Sequence, residues 1–251
     1  MQPLRFELHE RYLSERLGGD LMLADVGHVT VVESPLRTRR DGRFSFIRSV
    51  WWIWLPDGRS MLSVPIGTGK AVSTFAAGVA PEQLLRSKTS ADLLSIMSVP
   101  LRQYGLGNPS LILRDLCFVW PNDKLPALYG TRCRLLRNLN IPLAEGLSLP
   151  PTCDPAGLAY GVVEDGQVVA LAFAHKTGIM EKSVAEVGVI TAEPYRGRGH
   201  AQAALSLLVR DVLQRDGVVR YECDPDNAAS IAVARKVDLA EYGMSLQFIN
   251  P

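Results

Sequence analysis

The sequence is short of cysteine, of long apolar runs and of any excess of one charge sign. Its four cysteines, Cys117, Cys133, Cys153 and Cys223, are scattered through 251 residues. No two stand at a Cys-x-x-Cys spacing, so a zinc knuckle is not expected, and no disulfide ladder is suggested. Scattered thiols fit a reducing compartment, and a cytoplasmic location is expected. No apolar run reaches the roughly 18 residues that a membrane-spanning helix needs. The N-terminal stretch MQPLRFELHERYLSERLGG has no apolar h-region of a secretory signal. With 27 basic and 26 acidic residues the formal net charge is +1. That balance argues against nucleic acid or a membrane as partner, because both require a basic surface. Two phosphate-binding fingerprints are missing as well. Gly197-x-Gly199 is followed by Ala203 at the wrong spacing for a dinucleotide fold. GTGKA (67–71) resembles half of a Walker loop, with Val64 where its first glycine belongs and Ala71 in place of Ser or Thr.

What is present is ordinary for a globular chain: 47% hydrophobic and 21% charged residues, enough to bury a core. The stretch PLAEGLSLPPTCDPA (142–156) carries four prolines and little periodicity. It reads as a linker between an N-terminal α/β domain, 1–145, and a C-terminal domain, 146–251. In the first half, HVTVVES (28–34) reads as a strand. RSVWWIWLPDGRSMLSVPI (48–66) reads as a hairpin turning at Pro56-Asp57-Gly58. Residues 81–98 read as a helix opening at Pro81 and Glu82, and LILRDLCFVW (111–120) as a strand. The rings of Trp51, Trp52 and Trp54 are expected in a core or a domain interface rather than on a ligand-stacking surface.

The second half is more explicit. GLAYGVVE and QVVALAFAH flank Asp165-Gly166, a strong hairpin signal, and VAEVGVIT (184–191) is a third strand. After EPYRGRGH, the apolar positions Ala201, Ala204, Leu205, Leu208, Val209, Val212 and Leu213 form one helical stripe, which Gly217 is expected to end. VVRYEC (218–223) is a strand. DPDNAASIAVARK supplies a helix capped by Asp226 or Asn227, and SLQFI a last strand. The class is therefore α/β with a mixed sheet. A strand running through a glycine loop into a helix leaves backbone N–H groups free at the helix start, where the helix dipole also favours an anion. Gly197 and Gly199 remove side chains from that site, and Arg196 and Arg198 add positive charge. The stretch is suited to a phosphate or diphosphate.

Arg196, Gly199 and Ala201 fit the pattern [R/Q]xxGx[G/A]. EVGVITAEPYRGRGHAQAAL, followed about 30 residues later by DNAASIAVARKVDL, resembles the paired motifs of the GNAT superfamily of acyl-CoA N-acyltransferases. The resemblance runs from about Gly157 to Ile249. It implies a GNAT-like fold, acetyl-CoA as co-substrate, no metal, and transfer of an acetyl group to a primary amine in a ternary complex. On this resemblance the loop from Arg196 through Gly197, Arg198, Gly199 and His200 to Ala201 holds the diphosphate of coenzyme A. The backbone of Val189, Ile190 and Thr191 pairs with the pantetheine arm, and Asn227 and Ser230 lie near it. The N-terminal half is expected to be a degenerate copy of the fold or a substrate domain.

The chemistry calls for a proton acceptor and a donor facing the thioester oxygen. Glu186 is the candidate base. On the strand period it shares a face with Gly188 and Ile190, and a carboxylate among apolar neighbours needs a partner or a job. The tyrosine usual in the family, seven residues after the motif asparagine, is Ala234 here. Tyr221, Cys223 or Tyr242 are substitutes, with Cys223 as a covalent nucleophile a lesser reading, and His175 could shuttle protons. Asp238 stands where the family has a glycine. The acceptor is a small-molecule or peptide amine, and the chain a monomer or homodimer. A competing reading is an acyl-CoA-binding sensor or interaction module without catalysis. It gains from the missing tyrosine and loses to the intact loop.

Overall fold

The chain is described here from a computed structural model that covers residues 4–40, 46–80, 83, 86–121, 124–129, 133–136, 141–149, 158–175 and 184–251. The first elements are α1 (Leu4–Leu17), β1 (Val29–Glu33), β2 (Ile47–Trp54), β3 (Ser60–Val64), α2 (Gly69–Ala76), α3 (Ser87–Gln103) and β4 (Leu111–Val119). They are followed by β5 (Cys133–Leu135), β6 (Ala159–Glu164), β7 (Gln167–Ala174), β8 (Val184–Thr191), α4 (His200–Gln214), β9 (Val218–Cys223), α5 (Ala228–Lys236) and β10 (Ala240–Asn250). The α/β class expected from the sequence is what the structure shows. The expected helix start at Pro81 and Glu82, and residues 150–156 of the proline-rich stretch with Cys153, lie outside the described residues.

The elements form two compact units that interleave in sequence. The N-terminal unit holds His9–Cys117, Cys223–Asp226 and Glu241–Pro251. The C-terminal unit holds Met1–Leu8, Phe118–Glu222 and Asn227–Ala240. The described part of the proline-rich stretch, 142–149, therefore falls inside the C-terminal unit, and the last strand belongs, but for its first residue, to the N-terminal one.

In the N-terminal unit the strand order is β1-β3-β2-β10-β4. β2 and β3 form the expected hairpin, closed by Leu55 N–H to the Arg59 carbonyl (2.9 Å), and β1 joins β3 in parallel. Trp51 and Trp52 are buried, and the Trp52 indole donates to Ser60 Oγ at 2.8 Å. The tryptophans fill core. α3 starts at Ser87 and runs to Gln103, past the expected end at 98, because Leu93, Met97 and Leu101 continue its apolar stripe into the core. Two helices are not foreseen in the sequence. α1 buries Tyr12, Leu13 and Leu17, but also Glu10, whose carboxylate pairs with Arg59 at 2.5 Å and accepts from Tyr242 Oη at 3.1 Å. α2 follows the half-Walker stretch. Its start is occupied from within, since Glu33 Oε1 accepts from Gly69 N–H at 2.6 Å. The amides of Gly67, Gly69 and Thr68 hold the Glu33 carboxyl below its ordinary value.

In the C-terminal unit the strand order is β9-β8-β7-β6-β5. β6 and β7 turn at Asp165-Gly166, both at positive φ (48° and 76°), as a two-residue hairpin with the twist of its strands demands. Tyr160 lies opposite Ala172 and hydrogen-bonds Asp211 of α4, so α4 covers the face that carries Ala170, Ala172 and Ala174. Burial, then Asp211, pushes the Tyr160 hydroxyl up to about 12. α4 buries the expected stripe from Ala204 to Leu213, except that Ala201 faces outward from the core. Its end differs from expectation. Asp216, not Gly217, takes the left-handed position (φ 58°), and Gly217 N–H returns to the Val212 carbonyl at 3.0 Å. α5 ends likewise on Asp238 (φ 64°), with Leu239 N–H to the Ala234 carbonyl at 3.0 Å. Asp238 thus does the conformational work of the glycine it replaces.

Two outcomes follow. Asp238→Gly relieves a left-handed non-glycine residue and is expected to stabilise the chain by about 0.5–1 kcal/mol, read from the urea midpoint at constant slope. The folded Glu33 carboxyl titrates below its ordinary 4.5. Its bond therefore stabilises above that pH and is lost as pH falls through the folded value. Urea unfolding should find Glu33→Gln weaker than the native chain at pH 7, with a deficit that shrinks as the pH is lowered stepwise below 4.5, and a deficit that stays constant over the whole acid series would refute this origin.

Candidate functional site

The parallel ladder between β8 and β9 pairs Val184 with Val218 and ends at Val187 opposite Tyr221. β8 continues through Gly188, Val189, Ile190 and Thr191, held on its other edge by β7, which pairs with it from Val187 to Thr191. The two central strands therefore part, and one edge of β8 is left outside the β9 ladder. Beyond Thr191 a short turn, Glu193–Tyr195, leads to the loop. Gly197 and Gly199 sit at φ 76° and 81°. A Cβ at Gly199 would meet only Gln202 Oε1, at 3.5 Å, so backbone conformation rather than crowding calls for glycine there. The first helical bond of α4 is Ala203 N–H to the Gly199 carbonyl (3.0 Å), and the cap has no side-chain acceptor. The amides from Gly197 to Gln202 thus lie outside the helical ladder.

Strand edge, loop and α5 enclose a cavity of about 600 Å³. β8 contributes Val189, Ile190 and Thr191. The loop and first turn of α4 contribute Tyr195, Arg196, Gly197, Gly199, His200, Ala201 and Gln202. From the α5 side come Asn227, Ser230, Val233 and Lys236, a stripe at helical spacing, with Ala229 and Ala232 beside it. Gly146, Leu147 and Ser148 close one side. No Asp or Glu of the described residues lines the cavity. Asn227 Oδ1 accepts from Ser230 N–H at 3.0 Å. It caps α5 while its amide group stands at the cavity wall, so capping and ligand contact are compatible.

Of the loop residues read from the sequence, Arg198 is the exception. Its guanidinium donates to the Pro194 carbonyl (3.0 Å), lies 3.8 Å from Glu164 and covers the Tyr195 ring, away from the cavity lining. His200 Nε2 lies 3.5 Å from the same Glu164. Glu164, at the end of β6, thus lies beside two side chains of the loop region. Gly146–Ser148, Val233 and Lys236 are not in the sequence reading. Val233 and Lys236 continue the Asn227–Ser230 spacing and could have been found from it. Gly146–Ser148 carry no such signal.

The candidate catalytic residues do not line the cavity. Glu186 is buried and is the register partner of Arg220, while Tyr221 pairs with Val187. Alternation along the strands puts Glu186 on the face of Gly188 and Ile190, and Tyr221 on the opposite face. The Tyr221 ring packs edge-on against Phe118. His175 stays with Glu186: its backbone N–H donates to the Glu186 backbone carbonyl at 2.8 Å, and its Nε2 lies 3.2 Å from where a Cβ on Gly188 would be. Tyr242 donates to Glu10 within the N-terminal unit, which commits its hydroxyl. Cys223 is buried, and burial pushes the Cys133 thiol up to about 12. Among the described residues no group of three His, Cys, Asp or Glu side chains could hold a metal ion, and no helix is long and apolar enough to cross a membrane.

Residues 151–240 match the family model of the GNAT acetyltransferases. Solved structures similar to this chain include a protein assigned to the GNAT acetyltransferases from Novosphingobium aromaticivorans, at 22% identity and a TM-score of 0.47. That match covers 56% of this chain and 66% of the other. A GNAT-family acetyltransferase from Colwellia psychrerythraea is 15% identical, with a TM-score of 0.42, 60% of this chain covered and 62% of that one. A GCN5-related N-acetyltransferase from Kribbella flavida is 12% identical, with a TM-score of 0.45, over 100% of this chain and 96% of its own. The chain thus spans just under two thirds of the length of the first two. No curated protein gives a significant match. The stretch that carries the open loop and the wall of the cavity, residues 151–240, matches the GNAT acetyltransferase family, as its two motifs imply.

Proposed function

We propose that the protein transfers an acetyl group from acetyl-CoA to a primary amine, with both substrates bound at once. The observation that carries this reading is the coincidence of two openings. The amides before α4 lie outside their helix, and beside them β8 leaves the β9 ladder. The first suits a diphosphate, and the second suits an extended amide-bearing arm that adds to a strand edge. The residues present fit coenzyme A on both counts. Acetyl-CoA would supply an activated acyl carbon, whose C–S bond breaks as the C–N bond forms.

The chain's own groups then have distinct tasks. Gly197 to Ala201 would hold the diphosphate by backbone, with Arg196 adding charge, while Val189 to Thr191 would guide the arm. Glu186 would take the proton of the acceptor ammonium. It lies four residues before Ile190 on the same face, roughly 13 Å along the strand at about 3.3 Å per residue. The base is thus far from the phosphate end, as a long arm between the two requires. His175 stands beside Glu186 and would pass the proton onward. The departing thiolate is a weak base, and no side-chain acid is assigned to it. The acceptor would be a small-molecule or peptide amine.

Gly199→Glu is expected to weaken acetyl-CoA binding by more than about 100-fold, since a carboxylate would face the phosphates. Calorimetry reads the affinity and circular dichroism the retained helix content. Native affinity in a folded variant would sink the reading. Glu186→Gln is expected to lower kcat by about 100-fold or more while leaving the acetyl-CoA affinity within a few-fold. An undiminished rate across the pH profile would remove Glu186 from the mechanism.

A further inference from the structure

β9 carries a cation that the mechanism above leaves unused. The side chain of Arg220 is fully enclosed, at 0% exposure. A guanidinium keeps its charge at any working pH, so burial obliges it to find anions. Two carboxylates share its face of the sheet. Glu222, two residues on along β9, accepts a bond from Arg220 Nη2. Glu186 lies across the parallel ladder as the register partner of Arg220. Register partners put their side chains on one face, with neighbouring strands about 4.8 Å apart.

The two carboxylates differ in what they need. Glu186 is 9% exposed and the Glu222 side chain 22%, so Glu222 has water to draw on and Glu186 has little. A buried carboxyl with no cation beside it takes up a proton. The five N–H donors of one guanidinium suffice for two carboxylates. Other charges on this face are few among the described residues of the C-terminal unit. His175 lies at the end of β7, its ring edge-on to Phe173 at 5.2 Å. Arg5, at the start of α1, donates to the carbonyls of Gly217 and Leu213. The rung of Glu186 and Arg220 is also the last but one before β8 and β9 part, since the ladder ends at Val187 and Tyr221. The carboxylate is thus fixed where the rigid ladder gives way to the open strand edge.

Resting on the reading of Glu186 as the base, we infer that Arg220 is a positioning residue, which holds Glu186 as a carboxylate on the face of β8 that carries Gly188 and Ile190. Glu222 anchors the other side of the guanidinium. The acceptor ammonium then meets a base that is already unprotonated, and Arg220 itself touches no substrate.

The test follows the Glu186 carboxyl directly, by carbon-13 spectra of chains labelled at the glutamate carboxyl carbon. The resonance absent from Glu186→Gln belongs to Glu186. Its titration midpoint is expected to rise by about one pH unit or more in Arg220→Gln and to stay near the native value in Arg220→Lys. With an amine that the native chain acetylates, the acid limb of kcat should move up by the same interval in Arg220→Gln, with acetyl-CoA affinity within a few-fold of native. A Glu186 midpoint that is the same in the native chain and in folded Arg220→Gln overturns the inference. Where Arg220→Gln loses its native circular dichroism, the native chain decides. A Glu186 midpoint above about pH 6 then overturns the inference, and one below it supports the pairing, because an unpaired buried carboxyl rises that far. Should the midpoint shift as expected while the native chain binds no acetyl-CoA, the donor reading falls and the pairing of Arg220 with Glu186 stands.

Discussion

The site depends on one unmet requirement of the backbone. A helix cannot pair its first N–H groups internally, and α4 begins with a glycine at its cap that supplies no acceptor. Those donors therefore have no partner within the helix. The parting of β8 from β9 creates the same need on the adjoining strand edge. Two irregularities that would each weaken an isolated fold are set side by side, and the cavity is the space between them. Features nearby suit this arrangement: glycines at positive φ, Arg198 held by the Pro194 carbonyl, and Asn227 closing its own helix start.

The N-terminal unit meets the same backbone problem with a different solution. α2 also follows a strand and a glycine-bearing loop, but Glu33 supplies the missing acceptor. The amides that hold its carboxyl below the ordinary value are those that would otherwise face solvent. One helix start is thus closed by the chain and another left open, and the difference is a single carboxylate. This is why the half-Walker stretch, although it opens a helix, is read as structural.

Much of the C-terminal unit can be read from the letters, because local rules there agree with the fold. Asp165-Gly166 dictates the hairpin, the apolar stripe dictates α4, and the spacing of Gly197 and Gly199 dictates an open loop. The same rules fail where a tertiary partner overrides them. α1 places Glu10 in the core, satisfied by Arg59 and Tyr242, and a buried carboxylate blurs the apolar period that would have marked the helix. Asp216 and Asp238 occupy left-handed positions where a glycine is the usual signal. Arg198 looks like a ligand residue in sequence, yet its guanidinium bonds the Pro194 carbonyl and covers the Tyr195 ring instead. Gly146–Ser148 reach the cavity only because the chain folds back, which no spacing encodes.

The alanines beneath α4 have a consequence for how this protein could change. Ala170, Ala172 and Ala174 allow the helix backbone to sit low on the sheet, and the loop runs directly into the helix's first turn. Larger residues in that layer would lift helix and loop together, as a shim lifts one end of a beam. Ligand affinity would then be tunable from an interior layer that touches no ligand, and drift in core volume would be felt first as drift in binding.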